Sequence, residues 1–263
     1  MIGLNQRTGR KLSVIVMLIT VLLAGTAADK PDKKVAIVID DFGNGMKGTE
    51  EMMKLSIPFT AAVMPFMPTT KQDAEAAFKR GLDVIVHMPM EPNRGKKEWL
   101  GPGAITTDLS DAEIRKRTEA AIDDVPHASG MNNHMGSKVT ADERIMRIVL
   151  TVIKERGLFF LDSRTTHKSV IPDVAAELDV PLITNHIFFD DVYTTSHISG
   201  QMAKLKKKLA DLTAVVAIGH VGPPGLKTSA VIRDSIGEIS RQAQFVRVSE
   251  LLPSSAHENQ ILP

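Results

Sequence analysis

Asp40 and Asp41 stand side by side at the end of an apolar run, Val35-Ala36-Ile37-Val38-Ile39, just before Phe42-Gly43. Two adjacent carboxylates repel, so the pair costs stability unless a cation or a proton sits between them. Farther along, His87 follows Val84-Ile85-Val86 and His134 follows Gly130-Met131-Asn132-Asn133. Asp162 and Arg164 follow Leu158-Phe159-Phe160-Leu161, His186 and Asp190-Asp191 flank Ile187-Phe188-Phe189, and His220 follows Val215-Val216-Ala217-Ile218-Gly219. Run after run ends in a His, Asp or Arg, and the opposite ends carry little such chemistry. One carboxylate and two imidazoles are a common set for a catalytic zinc that keeps a fourth position for water. Each residue also has a structural alternative. One Asp can cap the next helix, a lone histidine at a strand end is usually structural, and Arg164 either pairs with Asp162 or orients Asp40. His127 precedes its strand, at the wrong end, and His167, His197 and His257 sit in helix-edge or tail contexts.

These groups meet only if the runs that carry them are parallel strands. Short apolar runs with β-branched residues predict strands at Val35–Ile39, Phe59–Met64, Asp83–His87, Ala128–Asn133, Leu158–Leu161, Leu182–Phe189, Ala214–Ile218 and Phe245–Val248. Helical spacing fills the gaps. Thr69 to Arg80 stops at Gly81, Ser110-Asp-Ala-Glu113 opens a helix toward Asp124, and Thr140-Ala-Asp-Glu143 opens one that runs to Arg156. Ser169–Leu178, Ser199–Leu212 and Ser229–Gln242 complete the series, with Lys204 and Lys206 to Lys208 read as a solvated face. Strands alternating with helices imply a parallel sheet with right-handed crossovers, either a closed β/α barrel or an open doubly wound sheet. In both, active sites form at the carboxyl ends of the strands. The glycines of Gly43-Asn44-Gly45-Met46-Lys47-Gly48 have the spacing of a turn, not of a dinucleotide loop. A long loop from Met90 to Leu109, rich in Gly, Pro and charge, is placed to line a site.

Composition narrows the classes. The 263 residues and 43% hydrophobic content fit one globular domain, and a net charge of +1 gives no electrostatic argument for nucleic acid. The absence of cysteine excludes disulfides, thiolate metal sites and cysteine nucleophiles. Arg7, Arg10 and Lys11 precede an apolar stretch from Leu12 to Ala24, and Gly25-Thr26-Ala27-Ala28 offers a cleavage site. Residues 1–28 therefore read as a secretory signal or an N-terminal anchor, and the rest of the chain as exported. Any membrane association would run through that segment alone.

Four motifs in order, Ile39-Asp40-Asp41-Phe42-Gly43, His87-Met-Pro-Met-Glu91-Pro92, Asn132-Asn133-His134-Met-Gly136-Ser137 and Ile218-Gly219-His220, give the chain a resemblance. It resembles the divergent polysaccharide deacetylases, a branch of the NodB-like carbohydrate esterases, over about Lys33 to Leu252. The resemblance implies a single-domain α/β fold, an irregular β/α barrel of seven or eight mostly parallel strands, followed by a tail at 253–263. It implies a metal-dependent hydrolase that removes acetyl groups from a cell-envelope polysaccharide or amino sugar, with a divalent ion, zinc foremost. Asp40 matches the family's base, Asp41 its metal-binding carboxylate, His87 its first metal-binding histidine and His220 the histidine that protonates the leaving group. The second metal histidine of the wider family is replaced here by Glu91, and the resemblance assigns its place to His134. Arg164 stands where the family's third-motif arginine is expected. Glu91, Asn133, Asp162, His186 and Asp190 are expected to face substrate or support the site.

Two rivals remain. A non-catalytic envelope glycan-binding protein could keep the same barrel, and the scarcity of aromatics, with Trp99 and Tyr193 the obvious ring-stacking candidates, fits that reading. Retention of both Asp40 and His220 fits an enzyme, since a binder needs neither base nor acid. An amidohydrolase-type barrel would place a His-x-His pair on the first strand, where Asp40-Asp41 stands.

Overall fold

The computed structural model describes residues 32–253; the N-terminal segment over 1–28 and the tail after 253 lie outside the described residues. The chain alternates strand and helix: β1 (Lys34–Phe42), α1 (Thr49–Met53), β2 (Thr60–Val63), α2 (Thr70–Lys79), β3 (Asp83–Met90), α3 (Asp111–Asp124), β4 (Ala128–Met135), α4 (Glu143–Glu155), β5 (Phe159–Asp162), α5 (Ile171–Leu178), β6 (Leu182–Thr184), β7 (Ile187–Phe188), α6 (Thr195–Asp211), β8 (Ala214–His220), α7 (Gly225–Ile239) and β9 (Gln244–Val246). Every pairing is parallel, in the order β6-β5-β4-β3-β2-β1-β8-β7, with β9 added beside β1. The two ends of that order, β6 and β7, are joined by only Asn185 and His186. One stretch of chain thus pairs with β5 at its start and β8 at its end, and the sheet curls into an irregular barrel.

Side-chain alternation sorts the apolar residues into two layers. Val35, Ile37 and Ile39 of β1 join the large cluster under the helices, with Met131 and Phe160 from other strands. Ala36, Val38, Ala62, Ile85, Phe159, Leu161, Val216 and Ile218 form a second cluster inside the barrel. The helices bury one stripe each; α4 buries Ile145, Met146, Val149, Leu150, Val152 and Ile153. The amino end of the barrel is plugged by a 3₁₀ turn, Val248–Leu251. Val248 N–H donates to Thr60 Oγ1 at 3.0 Å, and Ser249 N–H donates to Asp83 at 2.9 Å.

Several boundaries differ from the sequence expectation: α6 and α7 each begin four residues before the expected Ser199 and Ser229, and three further differences have a physical reason. The predicted strand Leu182–Phe189 is broken at the seam, where the chain changes partners from β5 to β8. β3 and β4 run on past His87 and Asn133, pairing Pro89 with His134 and Met90 with Met135. Pro89 fits inside a strand because β2 stops opposite Val86; its carbonyl accepts from Ile105 N–H at 2.9 Å on the vacated side. The helix expected to open at Thr140 is capped instead by Asp142, which accepts from Ile145 N–H at 3.1 Å, while Thr140 is buried and bonds the Gly136 carbonyl.

Candidate active site

The barrel interior becomes polar at one level. Positions 36 and 38 of β1 face inward and Asp40 continues that series; Ile85 leads to His87, Gly130 to Asn132 and His134, Val216 and Ile218 to His220. Period-2 alternation carried one or two residues past the apolar layer puts all five side chains in the same space.

Asp41 should by that rule point the other way. A bulge between Ile39 and Phe42 interrupts the pairing with β2, and Asp41 adopts a left-handed backbone with φ of 70°. The extra residue re-aims the side chain inward, a known use of bulges beside active sites. Gly43 completes the turn at φ 112°, where a Cβ would lie 2.8 Å from the Met64 carbonyl oxygen.

Asp41 Oδ1 then lies 3.3 Å from His87 Nε2 and 3.1 Å from His134 Nδ1, and those two nitrogens are 3.0 Å apart. The outer nitrogens are spoken for. His87 Nδ1 lies 2.7 Å from Asn132 Oδ1, and His134 Nε2 lies 3.0 Å from the Trp99 carbonyl oxygen. Both partners only accept, so both outer nitrogens donate, and a ring in its neutral form turns its lone pair toward Asp41. Asp41 Oδ1 is buried without a hydrogen-bond partner among the described residues. Three converging acceptors repel one another unless a cation or a proton sits among them. Tetrahedral zinc with ligands near 2.0–2.2 Å would separate its ligand atoms by roughly 3.3–3.5 Å, close to the spacings found. Asp41, His87 and His134 therefore form a group that can hold a metal ion.

The two carboxylates diverge. Asp40 is buried, and desolvation lifts its pKa above the ordinary carboxylate range, with Asp41 adding to the rise and His87 and His220 opposing it. Burial acts on Asp41 in the same sense, but the imidazoles of His134 and His87 outweigh it and hold the carboxyl well below that range. Titratable neighbours whose environments push them apart are the usual mark of divided acid and base roles. Asp40 Oδ1 accepts from Asn132 Nδ2 at 2.9 Å, and its Oδ2 lies 3.7 Å from His87 Nε2 and 4.0 Å from His220 Nε2.

His220 forms a dyad with Asp190. Its Nδ1 lies 2.7 Å from Asp190 Oδ1, while Asp190 Oδ2 accepts from His220 N–H at 2.9 Å and Thr228 Oγ1 at 2.6 Å. Burial alone would lower the pKa of His220; the hydrogen bond and charge of Asp190, with Asp41 and Asp40 beyond, raise it to about 10. A cleft of about 270 Å³ opens between Asp41 and His220, walled by Phe188, Tyr193 and Pro223.

The remaining sequence candidates lie around this cluster. Glu91 turns away from it: Oε2 accepts from Thr107 N–H at 2.8 Å and Oε1 pairs with Lys138 Nζ at 2.7 Å. Asn133 faces the next strand, taking Ser163 N–H on Oδ1 at 3.1 Å and giving Nδ2–H to the Met135 carbonyl at 2.7 Å. Asp162 is buried, and its carboxylate accepts from Arg164 N–H at 2.8 Å and Ser169 Oγ at 2.8 Å. Arg164 is exposed, with φ of 58°, and among the described residues its guanidinium has no carboxylate within ion-pair distance, Asp40 and Asp162 included. His186 is exposed at the seam, where Nδ1 accepts from Val216 N–H at 3.0 Å. Asn132, which ties Asp40 to His87, was not singled out from the sequence; its place two residues before His134 on the same strand face was the available signal.

The model of the divergent polysaccharide deacetylase family matches residues 37–252, which span every residue of this cluster. The chain belongs to that family. An uncharacterized protein of Haemophilus influenzae is 34% identical over 218 residues, covering 83% of this chain and 76% of its own. The protein YibQ of Escherichia coli, likewise uncharacterized, is 30% identical over 219 residues, covering 83% of this chain and 67% of its own. The crystal structure of an uncharacterized protein from Agrobacterium tumefaciens shares the fold with a TM-score of 0.78 at 19% identity, over 86% of this chain and 91% of that one. Family membership and the barrel agree; the chemistry rests on the residues themselves.

Proposed function

We propose that the protein is a metal-dependent deacetylase acting on an N- or O-acetylated sugar of the cell envelope, with Asp41, His87 and His134 as the metal ligands and zinc as the ion. The observation that carries this reading is the convergence of Asp41, His87 and His134 ligand atoms beside the buried Asp40 carboxylate and the His220–Asp190 pair. When bound, such an ion polarises the acetyl carbonyl and activates a water. Asp40 stands beside the ligands without belonging to them, and its raised pKa suits it to take the attacking water's proton. Asn132 fixes the Asp40 carboxylate and, through His87 Nδ1, the tautomer of a ligand. His220 is charged at neutral pH and held by Asp190 through Nδ1, which leaves Nε2–H to protonate the departing nitrogen or oxygen. The bond between carbonyl carbon and sugar heteroatom breaks, giving acetate and the free amine or hydroxyl. Arg164 is left as an outer residue that a bound substrate would have to recruit. The N-terminal pattern of residues 1–28 supports export, which would bring the enzyme to such a substrate.

The test is acetate release from N-acetylated amino-sugar oligosaccharides and O-acetylated glycans by the zinc-loaded mature chain. Wild type should release acetate, and Asp40→Asn and His220→Ala should each lose on the order of 100-fold or more in kcat, the usual scale for general acid–base groups. Near-full activity in both variants would overturn the assignment. Glycan binding with no turnover of any acetylated sugar would leave a binding module built on the same barrel.

A further inference from the structure

The loop that leaves β3 does more than supply the Trp99 carbonyl to His134. Residues of the 91–108 loop line a second, larger cavity of about 620 Å³ that reaches down to Arg117 of α3 and Lys138 after β4; its lining residue Leu100 follows Trp99, whose carbonyl meets His134. That size is in the range that takes a sugar residue with its substituents. Its walls carry four cations, Arg94, Lys96, Arg117 and Lys138, against two carboxylates, Glu91 and Asp108. Two of the cations are already matched: Lys138 by Glu91 at 2.7 Å, and Arg117 by Glu113 at 2.8 Å. Arg94 and Lys96 have no carboxylate within ion-pair distance among the described residues. The Lys96 ammonium instead stands 5.8 Å from the centre of the Trp99 ring, whose face is otherwise open, with the residue 60% exposed. Trp99 stands outside the cavity lining, its backbone touching a proposed metal ligand and its ring beside the Lys96 ammonium.

The loop is braced to hold this shape. Glu91 bonds both Thr107 N–H and Thr107 Oγ1, at 2.8 and 2.9 Å, and its backbone carbonyl takes Lys138 N–H and Val139 N–H at 3.2 Å. Ile105 N–H donates to the Pro89 carbonyl and Arg117 to the Ala104 carbonyl, at 2.9 and 2.7 Å. A fixed loop with two unmatched cations and a sugar-sized cavity has the makings of a recognition site. A guanidinium presents paired donors to carboxylate or phosphate.

We infer that the cavity lined by the 91–108 loop is a subsite for an acidic sugar, its anionic group held by Arg94 and Lys96, so that the acetylated unit at the metal cluster is read next to a carboxylate- or phosphate-bearing neighbour. The inference rests on the deacetylase reading for what occupies the metal cluster, but the recognition is a binding property that needs no turnover.

The experiment compares three disaccharides of one N-acetylated backbone, bearing a free lactyl carboxylate, a phosphomonoester, or the amidated lactyl group, by calorimetric titration into the zinc-loaded chain at low salt. At least one acidic form should bind 10-fold or more tighter than the amide, and which one does so names the anion. The preference should shrink to under about 3-fold in Arg94→Gln/Lys96→Gln and weaken with added salt, as solvent-exposed charges are screened. Equal affinity for all three, no binding of any, or a preference that survives in the double variant would each overturn the subsite. Acetate release, measured in parallel, separates the two readings. Acid-selective binding without acetate leaves the subsite standing and removes the deacetylase. Equal acetate release from all three at equal kcat/KM, with no binding preference, keeps the deacetylase and removes the subsite.

Discussion

At the scale of single residues, the account turns on how few groups divide the work. Asn132 is the least obvious. It is fully buried, and its amide satisfies Asp40 on one side and His87 on the other. Replacing it with Leu keeps the branched shape and orphans both partners, which costs about 1–3 kcal/mol by the usual penalty for unsatisfied buried groups. Chemical denaturation of Asn132→Leu should show that loss together with weaker metal binding; unchanged stability and unchanged affinity would mean Asn132 does not organise the site. The aspartates and histidines were legible because each follows an apolar run, and polar residues do not extend buried strands without reason. The inward turn of Asp41 was not legible, because strict alternation sends neighbours to opposite faces and only the bulge reverses one of them. Asn132 stayed hidden in an Asn-Asn pair, a sequence that reads as readily as a turn.

At the scale of elements, seven of the eight predicted strands are present as single strands because their apolar runs are short, β-branched and bounded by helical segments. The eighth, Leu182–Phe189, breaks for a reason no local pattern carries: its two halves hydrogen-bond to strands that are far apart in sequence. The start of α4 is a similar case. Thr140 and Glu143 have capping-box spacing, but Thr140 is drawn into the interior by the Gly136 carbonyl, and Asp142 takes over the cap. Asp142→Ala should therefore lower stability by about 1 kcal/mol, the usual cost of losing a cap, and Asp142→Asn should largely restore it. If thermal unfolding shows Asp142→Ala neutral, the cap is misassigned. Gly130 tests the barrel wall: a Cβ there would meet the Phe159 ring at 2.7 Å. Gly130→Ala should cost about 1–3 kcal/mol through overpacking, read from the denaturant midpoint.

At the scale of the whole molecule, a parallel barrel gathers the carboxyl ends of its strands in one place, and the plug at Val248–Leu251 closes the other end, so chemistry has a single face to occupy. Gathering charge there ties stability to pH. In the metal-free chain His220 is raised from 6.5 to about 10, so the folded state holds its proton more tightly than the unfolded state does. That contribution is fully present below about pH 6.5 and is lost as pH rises through about 10. Thermal melts across that window in the presence of a chelator should show wild type losing more stability than Asp190→Asn, in which the partner charge is gone; parallel curves would contradict the dyad. The central claim is the metal centre, and the most direct test is the number of zinc ions bound per chain in wild type, His87→Ala, His134→Ala and Glu91→Ala. The account predicts about one ion in wild type and in Glu91→Ala, and at least a 10-fold loss of affinity in each histidine variant, the scale expected at minimum for losing a ligand. Full zinc content in both histidine variants, or its loss in Glu91→Ala alone, would contradict it.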